Sequence, residues 1–129
     1  MSRIILLSLF IIRFLIAEAQ KTEIQYLSGL DKDHTVQWDF FINNEMNSGK
    51  WGKIAVPSNW ELQGFGSYLY GKVNKEMNET GLYKYEFTVS KTWKKKMVFI
   101  VFEGSMTDTE VKINGKPAGP IHQGAFYQF

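Results

Sequence analysis

Residues 81–102 read GLYKYEFTVSKTWKKKMVFIVF, and they decide the fold class. Tyr83, Tyr85, Phe87 and Val89 alternate with Lys84, Glu86 and Thr88. Successive side chains of an extended strand point to opposite faces. A period of two, aromatic and β-branched on one side and charged on the other, therefore predicts a strand with one buried and one wet face. Residues 97–102 are apolar without interruption, which predicts a strand buried on both faces. The polar stretch 90–96 between them is expected to close a hairpin, with Lys94, Lys95 and Lys96 at its solvated tip.

The same signals recur outward from this pair. In residues 109–113, Val111 and Ile113 alternate with Glu110 and Lys112. Asn114-Gly115 follows, and both central residues of a type I′ turn need positive φ, so this pair predicts a second hairpin. Toward the amino terminus, residues 36–42 predict a strand with Trp38 and Phe40 in the core, and residues 53–56 predict another. No segment sustains a 3.6-residue apolar period. Short strands joined by polar turns, without helices, predict an all-β fold, an antiparallel β-sandwich. Residues 57–81 break the pattern. They carry Pro57, Gly64, Gly66, Gly71 and Gly81, with Trp60, Phe65, Tyr68 and Tyr70 among them. A loop this long inside a domain is functional or disordered. Its aromatic content favours a loop packed on its scaffold, with some rings available to a ligand.

Composition narrows the function. The chain has 129 residues, 15 basic and 13 acidic side chains, and no cysteine. This length suits one domain and falls short of a (β/α)8 barrel, which takes about 250 residues. The near-neutral balance offers no electrostatic footprint for nucleic acid. His34 and His122 are far apart and no cysteine accompanies them, so no zinc-ligand spacing is present. No P-loop, dinucleotide fingerprint or Gly-x-Ser-x-Gly occurs, and no cofactor is expected. Glu76 with Glu79, and Glu103 with Asp108, are carboxylate pairs, but nothing in their surroundings marks a raised pKa.

The first twenty residues, MSRIILLSLFIIRFLIAEAQ, have the layout of a secretory signal. Arg3 gives a positive start, residues 4–12 are apolar except Ser8, and Ala17-Glu18-Ala19 fits a signal-peptidase site. Arg13 interrupts the apolar run, which is short for a bilayer span of about 20 residues. Residues 1–19 are thus expected to be removed, leaving 20–129 exported to a periplasmic or extracellular compartment. A short membrane anchor is the other reading. Asn78-Glu79-Thr80 matches a glycan acceptor triplet, relevant only in a glycosylating pathway.

The stretch Val56-Pro57-Ser58-Asn59-Trp60-Glu61-Leu62-Gln63-Gly64-Phe65-Gly66, preceded by Trp51, leads to a resemblance. It is followed in order by Gly81-Leu82-Tyr83-Lys84-Tyr85-Glu86-Phe87, by residues 93–104, by Glu110-Val111-Lys112-Ile113-Asn114-Gly115-Lys116, and by His122-Gln123-Gly124-Ala125-Phe126. This ordered set resembles the amino-terminal sugar-binding domain of glycoside hydrolase family 2, which holds β-galactosidases, β-glucuronidases and β-mannosidases. The match spans residues 51–129.

The resemblance implies a jelly-roll sandwich, followed in complete members by an immunoglobulin-like domain and a (β/α)8 barrel. The barrel carries the two catalytic glutamates of a retaining hydrolase. One protonates the leaving oxygen and the other, about 5 Å away, attacks the anomeric carbon. Residues 20–129 would then form a partial sandwich of about six strands where a jelly roll has about eight. Such a sandwich, incomplete at its carboxyl end, is expected to fold weakly alone.

The resemblance also implies site residues and a carbohydrate partner. In family β-galactosidases the asparagine matching Asn59 reaches the sugar, and an amide offers both a donor and an acceptor to adjacent hydroxyls. The alternative for Asn59 is a turn residue that holds its own backbone. Trp60, Phe65, Tyr68 and Tyr70 could stack on pyranose rings or pin the loop to the sandwich. His122 and Gln123 follow the Asn-Gly hairpin, in a loop that faces the barrel in family members. Some β-galactosidases place there an aspartate that binds sugar and a sodium ion. Here Gln123-Gly124 stands in that region with no acid nearby in sequence, so no metal ligand is assigned. A β-galactoside is the expected ligand class, with a glucuronide next. A stand-alone carbohydrate-binding module and a non-functional truncated fragment are the other readings.

Overall fold

The computed structural model describes residues 22–67, 78–105 and 108–124. The described residues form β-strands and two short 3-10 turns, and no α-helix. The chain divides into two units, residues 1–87 and 88–129.

In the first unit, β1 (Val36–Ile42), β2 (Gly52–Val56) and β3 (Gly81–Lys84) make an antiparallel sheet in the order β2-β1-β3. The central strand is the one richest in aromatic and β-branched residues, which suit a pleated, half-buried surface. Its even-numbered side chains share a face with the even residues of β2 and the odd residues of β3. The register sets Trp38 opposite Ile54, Phe40 opposite Gly52 and Tyr83, and Ile42 opposite Gly81. Phe40, Ile42 and Ile54 are fully buried on that face, with Trp38, Val56, Trp60 and Phe65 packed against them. The other face carries Asp39 and Lys53, paired at 2.7 Å, and the Phe41–Trp51 ring pair at 5.6 Å.

The turn from β1 to β2 uses residues that tolerate the left-handed region. Asn47 and Gly49 both have positive φ, and Gly49 N–H closes the turn on Ile42 C=O at 2.9 Å. Before β1, Trp38 Nε1 donates to Leu27 C=O at 3.0 Å, and Gly29 N–H bonds Val56 C=O at 3.0 Å. These bonds tie the leading segment to the sheet.

The expected strand at residues 83–89 is only partly present. Its ladder to β1 stops at Lys84, although Tyr85 still stacks on Trp38 at 4.9 Å and 12°. The aromatic period therefore reports the correct face, while the hydrogen-bonded ladder ends earlier, although β1 continues to Val36.

In the second unit, β4 (Lys112–Ile113) and β5 (Lys116–Pro117) pair antiparallel around Asn114-Gly115. Asn114 has φ 51° and Gly115 φ 78°, as the type I′ turn requires. The expected strand 109–113 is reduced to its last two residues, with Thr109 joined to His122 by an isolated bridge. Ser90 caps a 3-10 turn, Lys91–Trp93, by accepting from Thr92 N–H.

The expectation for residues 97–102 is overturned. Among the described residues they form no ladder, so stretch 90–96 closes no strand hairpin there. Met97 is 82% and Phe99 75% exposed, and Val98, Ile100 and Val101 are exposed as well. Burying both faces of a strand takes a neighbour at each edge and a layer on each face. No backbone group of residues 97–101 has a hydrogen-bond partner among the described residues. An apolar run states what would favour burial; it does not supply the covering layer.

The observed architecture is thus mostly β, with small antiparallel sheets.

Candidate functional site

The site is built on the loop that leaves β2. After the cis Val56–Pro57 bond, Ser58 Oγ donates to Ala55 C=O at 2.5 Å. The chain then enters a 3-10 turn, Glu61–Gln63, which ends at Gly64 with φ 83°. Gln63 reaches back from that turn. Its Nε2 donates to Ala55 C=O at 3.1 Å and to Ser58 Oγ at 2.7 Å, and its Oε1 accepts from Ala55 N–H at 3.1 Å. A carboxamide has two donors and one acceptor oxygen, and all three functions are used here. β2 is an edge strand, and its outward backbone groups would otherwise offer a template for another chain. Gln63 satisfies that edge at Ala55 and, through Ser58, holds the start of the loop with one side chain.

The loop's far end is held equally firmly. Asn47 Nδ2 donates to Gly64 C=O at 2.8 Å, and Gly66 N–H bonds Met46 C=O at 2.9 Å. Glu79 Oε1 accepts from Ser67 N–H at 2.9 Å. A Cβ on Gly66 would meet Glu79 Oε2 at 2.8 Å, at a φ of +67°, so both space and backbone call for glycine there.

Between these ends the rings fold inward onto Phe40. Phe65 meets it edge-on at 4.9 Å, Trp60 tilts over it at 5.9 Å, and Tyr83 lies at 4.7 Å. Trp60 also lies against Gly81, where a Cβ would approach Cζ3 to 2.5 Å. Its ring is thereby engaged with the sheet. The buried Nε1 has no hydrogen-bond partner among the described residues. Tyr68 and Tyr70 fall outside the described residues.

Asn59 differs from its neighbours. It is exposed, and its side chain makes no hydrogen bond among the described residues. The loop's own backbone is held by Ser58 and Gln63, so Asn59 is not the residue that secures the turn. Its amide stands at the rim of a fixed loop with its donor and acceptor open to solvent.

Electrostatics mark one other group beside this loop. Burial against Phe40 pushes the Tyr83 hydroxyl up to about 12, and the Glu61 carboxylate adds to the shift. The neutral phenol is favoured in the fold, so its contribution to stability is complete below the ordinary tyrosine pKa of about 10. That contribution is lost as pH rises toward about 12. Absorbance titration at 295 nm is expected to show one tyrosine ionising near pH 12, absent from Tyr83→Phe. A Tyr83→Phe curve that overlays the parent would count against this environment.

His122 and Gln123 belong to the second unit. His122 bonds Thr109 through both backbone groups at 2.9 Å, and lines a groove with Ile100, Phe102, Val111 and Pro120. Gln123 Nε2 donates to Asp108 Oδ1 at 3.1 Å. An acid therefore does stand beside Gln123 in space, contributed by a residue fifteen positions earlier. Among the described residues, no three His, Cys, Asp or Glu side chains group closely enough to hold a metal ion.

Sequence reasoning did not single out Gln63, and it noted Asp108 only as a carboxylate paired with Glu103. Each acts through a contact that loop closure creates. The only sequence signal for Gln63 is its place in the segment that also holds Asn59.

With this geometry described, comparison with known proteins places the chain among relatives. No protein-family model matches it, and no solved structure does. Curated relatives do. A β-galactosidase of Psychromonas ingrahamii is 31% identical over 84 residues, covering 57% of this chain and 8% of that protein. One from Priestia megaterium is 34% identical over 94 residues, and one from Streptococcus thermophilus 35% over 94, each covering 61% of this chain and 9% of the relative. The chain thus matches less than a tenth of the length of these relatives. Over about 60% of its residues it is homologous to a short segment of bacterial β-galactosidases.

Proposed function

We propose that residues 20–129 are the sugar-binding jelly-roll domain of an exported family 2 glycoside hydrolase with β-galactosidase-like specificity, and that residues 1–19 direct its export. The observation that carries this reading is the 30–35% identity to β-galactosidases from several bacteria. The domain's part in catalysis is to form one wall of the sugar pocket. Hydrolysis belongs to two carboxylates of a barrel domain, the immunoglobulin-like domain lying between. Asn59 is the residue assigned to the sugar. Its exposed amide can donate to one hydroxyl and accept from the next, and the loop beneath it is already ordered, so little conformational freedom is lost on binding. Trp60 supports that loop through its ring contact with Phe40, and Tyr68 and Tyr70 are assigned to sugar stacking by the resemblance. Within the second unit, Gln123 is held by Asp108, and it and His122 are assigned to the carbohydrate by the resemblance.

A segment exchange tests this reading. The matching stretch of the Psychromonas enzyme is replaced by that of this chain, and hydrolysis of nitrophenyl β-galactoside is measured. Activity within about tenfold of the parent is expected, since tenfold corresponds to only about 1.4 kcal/mol. A folded chimera that hydrolyses β-glucuronide in preference, or no glycoside at all, overturns the assignment.

A further inference from the structure

We propose that Asn114-Gly115, the tip of the β4–β5 hairpin, is a self-modification site, where the chain converts its own asparagine through a cyclic succinimide to isoaspartate and aspartate. The step needs only these two residues and water. The Gly115 backbone nitrogen gives up its proton to hydroxide and attacks the side-chain carbonyl carbon of Asn114. The bond from that carbon to Nδ2 breaks, and Nδ2 takes a proton from water and leaves as ammonia. Water then opens the five-membered ring at either carbonyl. Breaking the bond from the Gly115 nitrogen to the side-chain carbon gives aspartate. Breaking its bond to the main-chain carbon gives isoaspartate, in which the main chain runs through the former side chain.

Three features of the hairpin favour the step. First, the nucleophile is unhindered. A side chain on the following residue obstructs the approach of its backbone nitrogen, and of the seven asparagines only Asn114 precedes a glycine. A Cβ on Gly115 would meet nothing within 4 Å, so the space in which the ring forms is open. Second, both reacting groups are uncommitted. The exposed Asn114 carboxamide and the Gly115 N–H make no hydrogen bond among the described residues.

Third, the hairpin opens easily. Ring closure turns Asn114 ψ away from its type I′ value of about +30°, so the turn has to open before the nitrogen can attack. β4 and β5 hold two residues each, all exposed, and make a sheet of their own. A two-stranded hairpin with no layer over it is marginally stable in water, and its open form is visited often.

Other asparagines show what withholds the same chemistry. Asn47 also has a positive φ, 57°, and a small neighbour in Ser48. Yet its Nδ2 donates to Gly64 C=O at 2.8 Å, inside a turn closed by Gly49 N–H on Ile42 C=O. Asn43 and Asn44 are each held through Nδ2 on Asn78 C=O.

The two products differ in consequence. Aspartate before glycine still suits a type I′ turn. Isoaspartate adds one main-chain atom to the turn, which then no longer closes with Ile113 opposite Lys116. The hairpin is lost from that copy of the chain for good.

The test ages the full chain in mildly alkaline buffer, with and without urea. Peptide mass spectrometry reads amide-to-acid conversion at each asparagine, and methyl uptake from an isoaspartyl methyltransferase reads isoaspartate. Without urea, Asn114 is expected to convert about tenfold ahead of Asn47 and of every other asparagine, with isoaspartate in excess of aspartate. Its rate is expected to lie within about tenfold of the rate in urea, an opening free energy below about 1.4 kcal/mol. Gly115→Ala is expected to slow conversion about tenfold. Asn114 left intact in buffer while it converts in urea would mean that the hairpin stays shut, and would overturn the proposal. So would aspartate without isoaspartate, which marks direct hydrolysis, a Gly115→Ala chain that converts as fast as the parent, or another asparagine converting first.

Discussion

Phe40→Ala is expected to unfold the first unit at ambient temperature, or to leave it on the edge of unfolding. Phe40 is the ring on which the site loop rests. It is fully buried on the central strand, with Trp60, Phe65 and Tyr83 around it at 4.7–5.9 Å. Truncating a buried phenylalanine removes its transfer free energy and leaves a cavity, together about 3–5 kcal/mol. Typical domain stability is about 5–15 kcal/mol, and only three residues of the described chain form the buried core. The three neighbouring rings would lose their shared contact at once. Near-UV circular dichroism and a thermal melt are the measurements, with Leu82→Ala as the reference. Leu82 lies on the opposite face and is 47% exposed, so its removal is expected to cost less than about 1 kcal/mol. Equal losses from the two changes would mean that the core is not where the sheet places it.

The second large effect separates two neighbours in one loop. In the chimeric enzyme, Asn59→Ala is expected to lower kcat/KM roughly 30-fold, the equivalent of about 2 kcal/mol for two lost hydrogen bonds to substrate. Its melting temperature should not move, because the side chain is exposed and makes no bond within the described chain. Gln63→Ala should do the opposite. It strands the N–H of Ala55 and leaves Ala55 C=O and the Ser58 hydroxyl only their bond to each other, and is expected to cost about 1–3 kcal/mol of stability. Gln63→Glu keeps the acceptor for Ala55 N–H but sets a carboxylate oxygen against Ala55 C=O, so it should rescue little. Turnover that is unchanged in Asn59→Ala would remove that residue from the sugar. Melting temperatures that fall alike for Asn59→Ala and Gln63→Ala would remove the distinction between presenter and support.

Much of this arrangement was legible in the residues because the signals were local. Asn114-Gly115 specified its hairpin, since two adjacent positive-φ residues match one turn type. Residues 36–42 specified β1 to the residue, with Phe40 buried and Trp38 partly so. The alternation at 83–89 specified which rings face Phe40 and Trp38. The resemblance singled out Asn59, and the structure adds that other side chains do the work of holding its turn.

Tertiary structure decided what depends on neighbours remote in sequence. Whether residues 97–102 are covered depends on which strands lie beside them, and an apolar run carries no record of its partners. Whether Ala55 is capped depends on Gln63 returning across the loop, and whether Gln123 meets an acid depends on Asp108 coming from the other side of the hairpin. The ladder of β3 to β1 ends at Lys84 while its alternation continues, so the length of the paired strand was not written in that alternation. The sequence by itself determined which residues favour extended backbone, which turns reverse it and which face each strand would bury. Those properties follow from φ/ψ preference and period-two geometry within a few residues. Pairing and coverage came only with the fold, because they are properties of two segments at once.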